Sequence, residues 1–193
     1  SDATVKCWGR DDGGQFNTGF PTTSYYGVPN PTTVPDITGV VDMALGANVA
    51  CYVLDTGSVK CLGNNQFGQI GKDPATGGAS FTPVTVPGIT NAVKAYVYAY
   101  SVCIQLSDGS AKCMGLNNTG LLGLGTTDFA NHWVPSSFAG GVTGMVSMSM
   151  SYGATCGQFS DGAIKCIGAN ASGEMCNGTT TAVTTLTTVT CAT

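Results

Sequence analysis

The sequence predicts an all-β protein built from repeated four-stranded units. The first observation is a five-residue phrase, apolar residue–Lys–Cys–any residue–Gly, whose four cysteines lie 54, 52 and 53 residues apart at Cys7, Cys61, Cys113 and Cys166. The second is that short β-rich runs are frequent, while no segment shows the 3.6-residue apolar period of a helix. A repeat of about 50 residues is typical of stacked supersecondary units that bury apolar faces against their neighbours.

The elements of one unit follow in a regular order. Its four predicted strands are Cys51–Leu54, Val59–Leu62, Thr82–Val86 and Ala92–Val97. Residues 55–58 form a turn between the first two, and a glycine-rich stretch at 63–71 follows the second. Four-stranded units of about this length fit the blades of a β-propeller.

Six of the nine cysteines form three pairs at one spacing. The pairs are Cys51/Cys61, Cys103/Cys113 and Cys156/Cys166. Each pair encloses an Asp and a Gly, and Asp-Gly between two β-rich runs indicates a tight hairpin that places the flanking residues opposite each other. We therefore predict three cross-strand disulfides and an extracellular, secreted or cell-surface location. The alternative is three pairs of buried free thiols in a cytosolic protein.

The phrase Asp-Gly-x-Val-Lys-Cys-x-Gly-x-Asn-x-x-Gly-Gln-Leu-Gly resembles the regulator of chromosome condensation repeat, and most closely its disulfide-bearing extracellular relatives. Residues 51–71, 103–125 and 156–175 carry it, and residues 1–16 carry its second half. The resemblance implies a β-propeller, usually of seven blades, that binds proteins on a face or rim. This chain holds about three and a half units. The guanine-exchange activity of the founding member is not implied, because only the scaffold phrase matches.

The predicted architecture is a single repeat domain, 1–193, with three full blades and an incomplete fourth built from the two chain ends. The units run approximately over 7–60, 61–112, 113–165, and 166–193 together with 1–6. Cys7 is then a hairpin cysteine without a preceding partner strand. We favour a Cys7–Cys191 disulfide, which leaves Cys176 as a free or intermolecular thiol. The alternative is Cys176 paired with Cys191, with Cys7 free for another subunit.

Other side chains allow both a functional and a structural interpretation. Asn117, Asn170 and Asn177 begin N-glycosylation sequons. A lysine precedes the cysteine in every copy of the phrase, and these lysines could bind an anion or acidic glycan, or pair with hairpin aspartates. They are Lys6, Lys60, Lys112 and Lys165. Tyrosines that could stack on sugars, or form a sheet face, are Tyr25, Tyr26, Tyr96, Tyr98 and Tyr100. The Thr-rich stretch 179–193 could add to another sheet, carry O-linked sugars, or end its own blade.

Composition narrows the function classes. Only 9% of residues are charged and the net charge is −4, which argues against nucleic acid as a partner. No apolar run reaches the roughly 20 residues of a membrane span. His132 is the only histidine, Glu174 the only glutamate, and no Cys-x-x-Cys occurs. We therefore predict no catalytic residues, no metal site and no cofactor.

Two function classes remain. The first is a non-enzymatic structural or self-assembling subunit of a surface layer, sheath or filament, joined head-to-tail through its chain ends. The alternative is an extracellular binding module, a lectin or a protein-ligand or inhibitor propeller, that uses one face of the ring. Repeated sugar pockets would need an aromatic residue at the same position of every repeat. The residues that follow the phrase cysteine are Trp8, Leu62, Met114 and Ile167, and only Trp8 is aromatic.

Overall fold

The computed structural model describes residues 4–11, 13–17, 27–46 and 48–190. These residues form β-strands and one short 3-10 turn, Pro74–Thr76, with no α-helix among them. The strands are β1 Lys6–Arg10, β2 Gly27–Thr33, β3 Val40–Leu45, β4 Val49–Leu54, β5 Val59–Asn64, β6 Ala79–Thr85, β7 Ala92–Tyr98, β8 Ser101–Leu106, β9 Ala111–Asn117, β10 Asp128–Ser137, β11 Met145–Met150, β12 Ala154–Phe159, β13 Ile164–Gly168 and β14 Val183–Thr188.

The strands form three complete four-stranded sheets and one two-stranded sheet, all antiparallel. Blade 1 is β3-β4-β5-β6, blade 2 is β7-β8-β9-β10, and blade 3 is β11-β12-β13-β14. The half-blade is β1 and β2, which correspond to the third and fourth strands of a complete blade. The prediction of an all-β, propeller-like fold with three full blades is confirmed.

The strand pairing differs from the predicted architecture at the half-blade, and the sheets begin at another point of the repeat than the predicted units. The half-blade is not built from the two chain ends, because β14 pairs with β13 inside blade 3. The predicted unit boundaries also fall inside β5, β9 and β13, whereas each blade begins one strand before its first hairpin cysteine. The strand Ala92–Tyr98 therefore opens blade 2 rather than closing blade 1. Strand pairing, not the phase of the recurring phrase, sets the boundary.

The phrase glycine allows the second and third strands of a blade to meet closely. Gly63 has φ +113, and a Cβ there would overlap the backbone oxygen of Asn48, the residue before β4. Gly168 has φ +118 and would overlap Gly153 oxygen in the same way. Both the positive φ and the close backbone approach require glycine at this position.

The hydrophobic core lies between consecutive blades. One cluster joins the half-blade to blade 1 and includes Cys7, Phe16 and the fully buried Tyr52. The next cluster joins blades 1 and 2 and contains the Cys51–Cys61 pair, and the third joins blades 2 and 3 and contains the Cys103–Cys113 pair. Each blade therefore buries its apolar faces only with the help of its neighbours.

The first strands of the complete blades lie side by side and are hydrogen-bonded through side chains. The Ala95 amide in β7 donates to Asp42 Oδ2 in β3 at 2.9 Å. The Met148 amide in β11 donates to the Tyr96 hydroxyl in β7 at 3.2 Å. Strands β3, β7 and β11 also pack against one another in this order. These bonds fix the rotation of one blade relative to the next.

Candidate functional site

Three hairpin disulfides link the second and third strands of the complete blades. Their cysteines are direct register partners with Cα atoms 4.1 Å apart in each pair: Cys51–Cys61, Cys103–Cys113 and Cys156–Cys166. The turns between them fold as expected, since Asp108 Oδ1 accepts the Ser110 amide and Asp161 Oδ1 accepts the Ala163 amide, both at 2.9 Å. The local Asp-Gly chemistry therefore positions the cysteines.

The structure corrects the assignment of the remaining cysteines. Cys7, expected to pair with Cys191, is a buried free thiol. Cys176, expected as the free thiol, is disulfide-bonded, and none of the described cysteines is its partner. Cys191 itself lies outside the described residues. Cys176 also has φ +51, matching the positive φ of Gly71 and Gly123 at the same phase of the repeat.

Cys7 lies against the face of blade 1. Its Sγ is 3.8 Å from the hydroxyl of Tyr52, the residue that follows the first cysteine of the blade 1 hairpin. Burial raises the pKa of the Cys7 thiol, the Tyr52 hydroxyl partly offsets this, and the Asp11 carboxylate adds to it. Burial, followed by the adjacent Cys7, raises the pKa of Tyr52 far above its usual range. Both groups are therefore neutral at physiological pH.

Three buried asparagines organise the loops after the third strands. Asn117 Nδ2 donates to Thr126 oxygen at 2.9 Å, and its Oδ1 accepts the Leu122 amide at 3.2 Å. Asn170 makes the same kind of contacts, with its Oδ1 accepting the Met175 amide at 2.8 Å. The third member is Asn65.

This burial corrects two of the predicted sequons. The side-chain nitrogens of Asn117 and Asn170 are engaged inside the protein, so neither amide can carry a glycan in this fold. At both positions the asparagine of the sequon instead forms hydrogen bonds that hold the loop. Asn177 is only partly buried and accepts the Thr179 amide at 3.1 Å, so its glycosylation stays a prediction.

The repeated lysines support the loops rather than form a common anion site. Lys60 Nζ donates to Asp36 oxygen and Lys112 Nζ to Gly88 oxygen, each at 3.2 Å. These two acceptors occupy the same turn of successive repeats, 24 residues before the lysine. Lys165 Nζ instead lies 4.6 Å from the ring centroid of Phe159.

The structure brings together one acid–imidazole pair that the sequence pattern did not reveal. His132 Nε2 lies 2.7 Å from Asp128 Oδ1. Burial of Asp128 opposes its ionisation, but hydrogen bonds from His132, Ala130 and Asn117 prevail and lower its pKa. The bond from Asn117 ties β10 to the end of β9. Among the described residues, no group of three or more His, Cys, Asp or Glu is placed to hold a metal ion.

Three tyrosines line a pocket between blades 2 and 3. Tyr98 is the last residue of β7, Tyr100 lies in the turn between β7 and β8, and Tyr152, 86% exposed, lies in the turn between β11 and β12. Asn118 and Thr119 supply polar groups to the same pocket, whose volume is about 160 Å³. We call these residues the tyrosine pocket.

An aromatic contact holds Tyr100 of the tyrosine pocket in place. Tyr100 packs edge-to-face on Phe67 of blade 1, with ring centroids 5.1 Å apart. Tyr96, the third tyrosine of the alternating run, does not line the pocket but donates to Gln105 Oε1 at 3.0 Å. Of the predicted sugar-stacking residues, the structure thus assigns Tyr96 to the blade interface and Tyr98 and Tyr100 to the pocket. Tyr25 and Tyr26 lie outside the described residues.

In the described part of the chain, no helix combines the length and apolar character needed to cross a bilayer. The disulfides remain the main indication of compartment, and they indicate an oxidising environment.

Comparison with known proteins supports the architecture. The family model described as the regulator of chromosome condensation (RCC1) repeat matches residues 40–69. Yeast RCC1 (Prp20), in a crystal structure with Kap60, is 15% identical with a TM-score of 0.83, over 97% of this chain and 45% of that chain. Human WBSCR16 is 18% identical with a TM-score of 0.76, over 92% of this chain and 45% of that one.

A second structure of Prp20p, from Saccharomyces cerevisiae, is 16% identical with a TM-score of 0.76 and covers 97% of this chain and 46% of that chain. This chain therefore spans a little under half the length of the propellers that it matches. A comparison with curated proteins returned no match. The repeat match, the four-stranded blades and the structural likeness agree: residues 40–69 match the RCC1 repeat, and the chain has a β-propeller-like fold similar to that of the RCC1 structures.

Proposed function

We propose that the protein is a non-enzymatic extracellular binding module that holds a protein ligand in the tyrosine pocket. The main support for this proposal is that Tyr98, Tyr100 and Tyr152, which come from two blades, line one concave site. Tyrosine is enriched in protein interfaces because it offers a large rigid apolar surface together with a hydroxyl. The pocket is smaller than the roughly 300–1,000 Å³ of typical small-molecule sites, so it suits one side chain of a larger partner.

Protein binding is also what the structural relatives suggest. One yeast structure holds Prp20 bound to Kap60, and another concerns the binding of Prp20p to Gsp1p and histones. At 15–16% identity these proteins share only the fold with this chain. Their partners are therefore not transferred, but they support the use of a propeller surface for protein recognition.

Repeat geometry favours a protein over a glycan ligand. Register places Asn48 and Gly153 at the position of Tyr100 in the other two complete blades. The tyrosine pocket is therefore a single site and not one of a series, whereas a lectin built on repeats commonly needs a repeated pocket.

A photo-cross-linking experiment tests this function. A benzophenone amino acid replaces Tyr152 in one variant and the 79% exposed Phe129, which does not line the pocket, in a matched control. On material from the native source, the Tyr152 variant should cross-link a discrete protein that the Phe129 variant does not. Adding Tyr100→Ala should abolish that cross-link. Equal cross-linking from both sites, or Tyr100-dependent binding to a glycan array instead, would contradict the proposal.

A second candidate is the self-assembling structural subunit of a surface layer, sheath or filament. Its support is the outer face of blade 3, where Ile164 is 53% exposed although register places Val59 and Ala111, both buried, at the same position. Sedimentation velocity at rising concentration under oxidising conditions tests it. Concentration-dependent polymers that Ile164→Asp dissolves would favour assembly, and a constant monomer mass would contradict it.

A further inference from the structure

The first strand of blade 1, β3, has an exposed face, whereas the first strands of blades 2 and 3 pack against the preceding blade. Register places Met43, Ala95 and Met148 at one position, each opposite the residue that follows the first hairpin cysteine. Ala95 and Met148 are buried, and their amides are bonded to the first strand of the preceding blade. Met43 is 48% exposed. The exposed face of β3 is thus the place where the first strands of a preceding blade would pack.

The half-blade has a matching open edge. In the complete blades the third strand pairs on both sides, but in the described part of the chain β1 pairs only with β2. Trp8 of β1 is 61% exposed, although its equivalents Leu62, Met114 and Ile167 are fully buried. A Cβ on Gly9 would meet none of the described residues within 4 Å, whereas at the equivalent Gly63 it would overlap the backbone oxygen of Asn48, just before the second strand.

Cys7 lies at the centre of this surface. It occupies the phase of Cys61, Cys113 and Cys166, each of which is bonded to a cysteine on the second strand of its blade. A groove of about 180 Å³ runs beside it and is lined by Lys6, Cys7, Trp8, Phe16, Met43 and Leu45. The apolar lining, the open edge and the unpaired hairpin cysteine thus coincide.

We propose that this surface seats the first two strands of a cysteine-bearing repeat of the same type, supplied by polypeptide other than these 193 residues. The incoming second strand pairs with β1, and its cysteine bonds to Cys7. In that step the two thiols lose two protons and two electrons to a small-molecule disulfide such as oxidised glutathione. One S–S bond forms, one is broken, and two glutathione thiols are released. This inference is independent of the tyrosine pocket.

A second copy of this chain is a poor source of the missing strands. Each copy has three pairs of first and second strands, β3–β4, β7–β8 and β11–β12, and each pair is already part of a complete sheet with its own hairpin disulfide. Two copies placed head-to-tail would still leave both half-blades without their first two strands. Donation from a copy would require a blade to open and its disulfide to break.

A synthetic peptide of residues 38–56 provides the probe, because it contains β3, β4 and Cys51 as its one cysteine. The protein is incubated with this peptide in a glutathione redox buffer, and adducts are mapped by mass spectrometry without reduction. A Cys7–Cys51 adduct should form at least about tenfold faster than with a scrambled peptide of equal composition, as expected when apolar burial and strand pairing precede the bond.

Variants separate docking from simple thiol reactivity. Met43→Asp and Gly9→Ala should each lower the adduct rate about tenfold, the first by placing a charge in the groove and the second by blocking the strand approach. Phe129→Asp, at an exposed apolar residue away from the groove, should leave the rate unchanged. Retention of all three hairpin disulfides in each variant shows that it has folded.

A non-covalent measurement completes the test. The peptide with Cys51→Ser should shift the fluorescence of Trp8 to the blue in a Trp133→Phe protein, because docking removes the indole from water. An adduct rate equal to that of the scrambled peptide would overturn the proposal, as would insensitivity to both Met43→Asp and Gly9→Ala. Rapid Cys7–Cys7 dimers that exclude the peptide would overturn it too, because they would assign the surface to a second copy.

Discussion

Three loops of this protein are each organised by one buried asparagine side chain. Asn65, Asn117 and Asn170 each satisfy loop backbone groups that a small apolar residue would leave unpaired inside the protein. Sequence inspection found two of them, but as candidate glycosylation sites. The reason is that a sequon describes a chemical pattern around the amide, whereas burial of that amide depends on the fold of the loop that follows.

The first prediction concerns Asn117. Asn117→Ala removes its bonds to Thr126 oxygen and the Leu122 amide, and leaves both groups in a buried loop. We expect a loss of about 2–4 kcal/mol in the free energy of unfolding, measured by urea titration. The neighbouring exposed Asn118→Ala is the control and should cost less than about 0.5 kcal/mol. Equal costs would show that the loop does not depend on the buried amide.

The second prediction concerns the Cys7–Tyr52 pair. Both pKa values are raised in the folded state, chiefly by burial, so the unfolded chain ionises first as pH rises. The stability that depends on these neutral groups is therefore complete below about pH 8.5 and falls as pH rises above it, through the ionisation of unfolded cysteine and then of tyrosine near pH 10.

Urea midpoints between pH 7 and pH 11 measure this effect. The double variant Cys7→Ala and Tyr52→Phe should lose stability less steeply with rising pH than the original protein. Phe129→Ala, at an exposed side chain that does not titrate, is the control for the effect of substitution itself. If the double variant lost stability with rising pH as steeply as the original protein, the attribution of this loss to Cys7 and Tyr52 would be wrong.

At the scale of elements, the hairpins were predictable and the sheet assignment was not. The cysteine spacing and the Asp-Gly turns are local signals, and they located β4 and β5 to within two residues. Whether Ala92–Tyr98 closes one blade or opens the next depends on which distant strand it pairs with. The same holds for β14, because the residues of an edge strand do not specify which neighbour accepts them. The tyrosine pocket escaped prediction for a related reason, since Tyr152 comes from a different blade than Tyr98.

The third prediction compares two phrase glycines. Gly63→Ala combines an unfavourable φ of +113 with a backbone overlap at Asn48, and should cost about 2–4 kcal/mol of stability. Gly9→Ala has a similar φ of +106 but open space, and should cost about 1–2 kcal/mol less. Thermal or urea unfolding of the two variants provides the comparison. Equal losses would mean that backbone conformation alone, and not the approach of the second strand, explains the glycine.

At the scale of the whole molecule, the blades behave as a chain of neighbours, and stability is shared across each interface. The final prediction addresses the interface between blades 2 and 3. Tyr96 accepts the Met148 amide and donates to Gln105, whose own Nε2 donates to Met145 oxygen at 2.8 Å. One hydroxyl thus connects a backbone amide of blade 3 to a buried side chain of blade 2.

Tyr96→Phe keeps the ring but leaves the Met148 amide and Gln105 Oε1 without this partner, so it should cost about 1–3 kcal/mol. Because the loss falls on one interface, hydrogen exchange should accelerate most at Met148, while amides of β4 and β5 in blade 1 change little. Tyr98→Phe, whose side chain lines the tyrosine pocket, is the matched control. Uniform acceleration across all blades would instead show that the three blades unfold as one cooperative unit and that the interface has no separate stability.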